Sequence, residues 1–102
     1  MEIRYKQPAD VIDYDIHMEE WFRSMGNDQL DEVVFAGVFP DGELTLGTDE
    51  YPAVSLIGEV PKIAKVWVRG GVSGREYKIT VRLKTRIGRV EEIDFIIIVE
   101  DL

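Results

Sequence analysis

Between residues 76 and 86 the side chains Tyr77, Ile79, Val81, Leu83 and Thr85 alternate with Glu76, Lys78, Thr80, Arg82, Lys84 and Arg86. A period of two held over that length predicts a strand with one buried face. Residues 63–69 share the habit, with Ala64, Val66 and Val68 on one side and Lys65, Trp67 and Arg69 on the other. Residues 90–100 return with Ile93, Phe95, Ile97 and Val99 on one face. Gly70, Gly71 and Gly74 between the first two segments, and Gly88 between the last two, supply the backbone freedom that a reversing chain needs. Residues 63–99 therefore read as an antiparallel meander with two tight turns. Burying each Val, Ile, Leu or Phe contributes roughly 1.5–3 kcal/mol, but a lone meander leaves that face wet, so the first sixty or so residues must cover it.

Residues 1–8 are polar, end in Pro8, and read as an extended arm that is mobile until docked. Residues 11–18 alternate imperfectly, Ile12, Tyr14, Ile16 and Met18 against Val11, Asp13, Asp15 and His17, which predicts a strand. Residues 19–25 are too few for a helix stable on its own. One helical turn there would place Trp21, Phe22 and Met25 over the open end of a sandwich, before a turn at Gly26-Asn27-Asp28. Residues 30–39 are extended, Pro40-Asp41-Gly42 is a turn, and Leu44 and Leu46 point inward from a short strand at 43–46. Residues 47–52 are polar and exposed, and a strand at 53–60 ends at Pro61. Turn signals recurring about every ten residues, with no long helical stretch, predict a single all-β sandwich domain over 1–102, with about seven antiparallel strands and a short helical turn near 19–25.

Composition removes several classes of function. The longest apolar run, 95–99, is far short of the roughly 20 residues that span a bilayer, and the polar start is unlike a secretory signal, so no membrane partner is expected. There is no cysteine, and with His17 the one histidine a zinc site would need an unusual all-carboxylate shell. A net charge of −8 argues against nucleic acid as a partner. That charge is uneven: residues 1–61 hold three bases against fourteen acids, and residues 62–102 nine bases against six acids. Either each half wears a solvated surface, or a positive sheet face on one copy meets a negative face on a neighbour, which would set orientation more than affinity.

Candidate chemistry is thin, and no catalytic residue, metal or cofactor is expected. His17 shares a strand face with Asp13 and Asp15 and reads as a surface group; Ser24, Ser55 and Ser73 sit in no nucleophile elbow. Neither Asp10, Asp13 and Asp15 nor Asp28, Asp31 and Glu32 follows the spacing of a strong calcium loop. A glycosidase pair of carboxylates needs a separation that sequence does not supply. Gly70-Gly71-Val72-Ser73-Gly74 lacks the Gly-Lys-Ser/Thr ending of a phosphate loop and reads as a hairpin turn. Two features point to partners instead. Trp67, between Lys65 and Arg69, is either capped by cationic stems or presented to another protein. Ile96 and Ile98 lie outward on the last strand, in a low-charge, β-prone run that the chain's own early residues or a second protein must cover.

Asp13-Tyr14-Asp15, Trp21-Phe22, Asp28-Gln29-Leu30 and Pro40-Asp41-Gly42 form the first set of recognisable motifs. The second and more specific block runs from Val66-Trp67-Val68-Arg69-Gly70-Gly71-Val72-Ser73-Gly74 through Tyr77 to Thr85-Arg86-Ile87-Gly88-Arg89. Together they resemble small tailed-phage and prophage proteins of the fibre–tail adaptor type, over nearly the whole chain. The chain departs from that pattern at Ile16-His17-Met18, where a second Trp is frequent, at Gln29-Leu30 in place of Thr-Ile, and in a longer acidic insertion around Asp49 and Glu50. The resemblance implies an immunoglobulin-like sandwich and a non-enzymatic virion protein, made in the bacterial host cytoplasm and seated where fibres or neighbouring proteins join the tail. Its partners would be other phage structural proteins and further copies of itself in a ring. The candidate contacts are Lys65, Trp67, Arg69, Arg82 and Lys84, taken as one positive face, with Ile96 and Ile98. The alternatives are a capsid decoration protein and a small carbohydrate-binding module with Trp67 as stacking platform beside Arg69. A hydrolase lacks an obvious nucleophile or metal set.

Overall fold

The computed structural model describes residues 2–26 and 28–101, so Asn27 of the expected turn, and also the side chain of Met25, lie outside what is described. Among the described residues eight strands and one short helix follow in order: β1 (Glu2–Lys6), β2 (Val11–His17), α1 (Glu19–Met25), β3 (Leu30–Phe39), β4 (Leu44–Leu46), β5 (Val54–Ile57), β6 (Ile63–Gly70), β7 (Glu76–Thr85) and β8 (Val90–Val99). They form two sheets. One has the order β1-β8-β7-β3; in the other β6 is central, with β2 on one side and β4 and β5 end to end on the other.

The alternating strands build the core as their pattern dictates. Tyr77, Ile79, Val81 and Leu83 of β7 and Ile97 and Val99 of β8 are fully buried, facing Ala64, Val66 and Val68 of β6 across the sandwich. Phe95 and Tyr14 meet between the sheets with ring centroids 6.1 Å apart. At one end α1 drops Phe22 into the core beside Met18 and Leu30, and Trp21 packs against the same cluster. Seven residues do not hold a helix unaided; this one is held by that burial, and by the Phe22 amide donating to the Met18 carbonyl at 3.0 Å.

Three expectations need correction. Residues 63–99 are not one meander. β7 and β8 pair antiparallel around the Thr85–Arg89 turn, but β6 belongs to the opposite sheet, and Gly70 to Gly74 carries the chain across the sandwich. Alternation reveals which side chains are buried, and the inner faces of both sheets bury theirs alike. The glycines fit an arch rather than an open turn. Gly71, at φ +94°, lies where a Cβ would come within 2.8 Å of Val99 Cγ2, and Gly70, at φ +81°, where one would meet the Glu43 carbonyl at the same distance.

Second, within the arm expected over residues 1–8, Glu2–Lys6 is docked: β1 runs parallel to β8, with Ile3 opposite Ile96 and Tyr5 opposite Ile98. That raises the strand count to eight and makes the sheet mixed rather than wholly antiparallel. Lys6 anchors β1 from a buried position, its ammonium donating to the carbonyls of Gln7 and Gly70 at 2.7 Å each and of Pro8 at 3.3 Å. Burial lowers its pKa, an effect that nearby Asp10 partly opposes. Third, the candidate positive face does not exist as one surface, as its residues show below.

Candidate interaction surfaces

Lys65, Trp67 and Arg69 stand on the outer face of β6, whereas Arg82 and Lys84 of β7 and Ile96 and Ile98 of β8 stand on the outer face of the other sheet. The sandwich core lies between the two groups. Because β6 and β7 belong to different sheets, they cannot present one face.

On the β6 side Lys65 is answered from within. β2 aligns Asp15 with Lys65 and Asp13 with Trp67. The Lys65 ammonium bonds the Asp13 carboxylate and lies 3.1 Å from Asp15 Oδ1. The hydrogen bond from Lys65 holds the Asp13 carboxyl below its ordinary pKa against the opposing effect of burial, and the same two carboxylates raise Lys65. Tyr51 stacks on one face of Trp67, with centroids 4.1 Å apart and planes 7° from parallel. The loop that delivers Tyr51 is tied on both sides of β6's central residue, because the Trp67 amide donates to Ala53 and the Trp67 carbonyl accepts from Gly47. Thr48 closes the loop, its hydroxyl accepting from the Glu50 and Tyr51 amides. Beside this stack, Arg69, Val11 and the loop residues Thr48 to Tyr51 line an open depression of about 240 Å³.

On the opposite face Arg82 bonds Glu92 at 2.7 Å and lies over the Phe35 ring, 5.0 Å from its centroid. Lys84 approaches Glu32, and Lys78 approaches Asp94, each at 3.7 Å. Of the nine bases in residues 62–102, Lys65, Arg75, Lys78, Arg82, Lys84 and Arg89 thus lie within 4.0 Å of a carboxylate. Four of those bases, Lys65, Arg75, Lys84 and Arg89, take their carboxylate from residues 1–61.

Beside these pairs lies an apolar group. β1 closes the edge of β8 but adds its own outward side chains, so Ile96 and Ile98, each part-buried, continue into Ile3 at 52% exposure and Tyr5 at 61%. Across β7, Lys78 separates Ile96 from Phe39, which at 75% is the most exposed large apolar side chain among the described residues. Phe39 ends β3 immediately before the Pro40-Asp41-Gly42 turn. The alternation of β3 is broken by two register shifts, which hid the outward aim of this residue in the sequence.

The motif residues serve architecture. Asp28 is buried under the β7–β8 turn, where Oδ1 accepts from the Gln29 and Ile87 amides and Oδ2 lies 3.1 Å from an Arg89 guanidinium nitrogen. Burial alone would raise its pKa, but the bonds from Thr85, Gln29 and Ile87 and the charge of Arg89 outweigh that and hold it below the ordinary range. At the arch, the Tyr77 hydroxyl accepts from the Val72 amide at 2.8 Å and donates to Glu43 at 2.9 Å, and Glu43 also takes Arg75. Gly74 and Gly88 occupy turns at positive φ with open space around them. His17 lies at the surface, 3.2 Å from Glu19. No group of three or more His, Cys, Asp or Glu is disposed to hold a metal ion, and no helix is long and apolar enough to cross a membrane, among the described residues.

None of the curated proteins matches the chain. The family model described as podophage GP4 fiber-tail adaptor protein gp77 covers residues 6–98, taking in both motif blocks and the turns they build, and the chain belongs to that family.

Proposed function

We propose that this chain is a non-enzymatic virion component that joins tail fibre to tail through protein–protein contacts, with the outer face of the β1-β8-β7-β3 sheet as its principal contact. Family membership carries the adaptor role. The surface is chosen by the exposed apolar residues Ile3, Tyr5 and Phe39, with the part-buried Ile96 and Ile98 between them, while the neighbouring charges pair among themselves. Exposed apolar residues gathered on one face rimmed by charge suit a protein interface. Trp67 is a weaker candidate for a sugar platform than its sequence position suggested, since Tyr51 occupies one face of its ring.

The reading is tested by adding purified protein to particles made without the chain and counting attached fibres. Phe39→Glu, at an exposed position, should retain the wild-type melting temperature yet fail to restore fibres. Full restoration by Phe39→Glu would remove this face from the contact, and decoration of the capsid instead of the tail would replace the adaptor reading.

A further inference from the structure

The sandwich has four lateral strand edges, and three of them are guarded. β3 is broken by two register shifts. β4 and β5 are three and four residues long and are separated by the Gly47–Ala53 loop. β1 is five residues long, directs Glu2, Arg4 and Lys6 toward the interior side, and has its Tyr5 carbonyl taken by the Tyr14 hydroxyl at 3.1 Å. Bulges, short strands and inward charges are among the devices by which natural sheets refuse further strands.

β2 has none of these. It runs seven residues in unbroken register with β6. Its outward row of backbone groups follows from the other side of β6. The Trp67 amide and carbonyl are engaged by Ala53 and Gly47, so Asp13, opposite Trp67, turns its own amide and carbonyl away from β6. By alternation Val11, Asp15 and His17 do the same, while Ile12, Tyr14 and Ile16 bond to β6. No backbone bond to another element engages the outward groups of Val11 to His17 among the described residues. The inward side chains Ile12 and Ile16 remain part-exposed, as a strand awaiting a neighbour would leave them.

We propose that the free edge of β2 accepts an extended segment of another protein in which Lys or Arg alternates with apolar residues, adding a strand to the β6 sheet. The charge on the outer face of β2 sets the occupant. Asp13 and Asp15 share the single ammonium of Lys65, leaving one negative charge where cross-strand neighbours of an added strand would lie. A second copy of this chain suits the edge poorly. Antiparallel pairing of β2 with itself about Tyr14 sets Asp13 of one copy against Asp15 of the other, twice. Apolar residues on the alternate positions of the added strand would extend the cover over Ile12 and Ile16. The proposal shares with the adaptor reading the premise that this chain meets other proteins, but it uses a different surface.

The test is residue-resolved amide hydrogen exchange by NMR on the isolated chain, with a capped peptide of alternating lysine and valine as probe and an alternating glutamate and valine peptide as control. The lysine peptide should slow exchange at Val11, Asp13, Asp15 and His17, roughly tenfold once nine sites in ten are filled, because exchange then proceeds through the free fraction. Ile12, Tyr14 and Ile16 should not change. Absence of protection at the four amides, equal protection by the glutamate peptide, or protection placed on β1 or β3 would overturn the proposal. Protection that grows with protein concentration alone would assign the edge to self-association and overturn the choice of occupant. None of these outcomes touches fibre attachment in particles, so failure here and failure of the adaptor reading remain separable.

Discussion

Replacing Gly71 with alanine separates an arch across the sandwich from a hairpin at its surface. At φ +94° an alanine takes on a left-handed backbone cost of about 1–2 kcal/mol. Its methyl group would sit 2.8 Å from Val99 Cγ2, 3.3 Å from Leu44 Cδ1 and 3.4 Å from Tyr77 Cε2. Val99 and Tyr77 are fully buried and Leu44 nearly so, so there is little room to yield. Overpacking of that kind costs about 1–3 kcal/mol. Gly88 is the internal control: its φ is +97°, but nothing lies within 4 Å of the added Cβ, so Gly88→Ala should lose only the backbone part. The two variants should therefore differ by about 1–3 kcal/mol. In urea unfolding with slopes of about 1–3 kcal/mol per molar, that separates their midpoints by on the order of 1 M. Equal midpoints for Gly71→Ala and Gly88→Ala would place Gly71 away from the core and refute the arch.

A double-mutant cycle of Trp67→Ala and Tyr51→Ala should give a coupling of about 1 kcal/mol in thermal unfolding; additive effects would mean that the rings do not support one another. Asp28 and Asp13 have lowered pKa values in the fold, so the stability they contribute is present above the ordinary carboxylate range, near about 4, and is lost as pH falls through their folded values. The melting temperature should accordingly drop in acid, and Asp28→Asn should flatten part of that drop; an unchanged acid limb in Asp28→Asn would contradict the role given to the buried carboxylate. Val81→Asp should abolish cooperative unfolding by circular dichroism, since a fully buried unpaired charge has no compensation there, and a cooperative transition close to the wild-type midpoint would show that the site tolerates charge.

β7 and β8 were legible because their alternation is long and each turn has its glycine, and so was the short helix, since Trp21 and Phe22 had nowhere to go but the open end. The destination of β6 was not. Ala64, Val66 and Val68 alternate identically whether their strand lies beside Tyr77 or across from it; strand pairing and the close neighbours of Gly70 and Gly71 distinguish the two. Lys6 reads as one more polar residue of an arm because its partners are carbonyls, which carry no sequence signature. The same limit misplaced the interaction surface. Lys65, Arg82 and Lys84 look free in sequence, while their partners Asp13, Glu92 and Glu32 arrive from other strands. Phe39, the most exposed aromatic among the described residues, was missed because the two register shifts in β3 break the alternation that would have aimed it outward.

Electron microscopy of particles produced without this chain, beside complete particles carrying a gold label on it, separates a junction protein from a coat protein. Tails should be present but bare of fibres, the purified protein should restore the fibres, and gold should lie at the junction of fibre and tail. Fibres retained in its absence, or gold over the capsid, would contradict the adaptor reading.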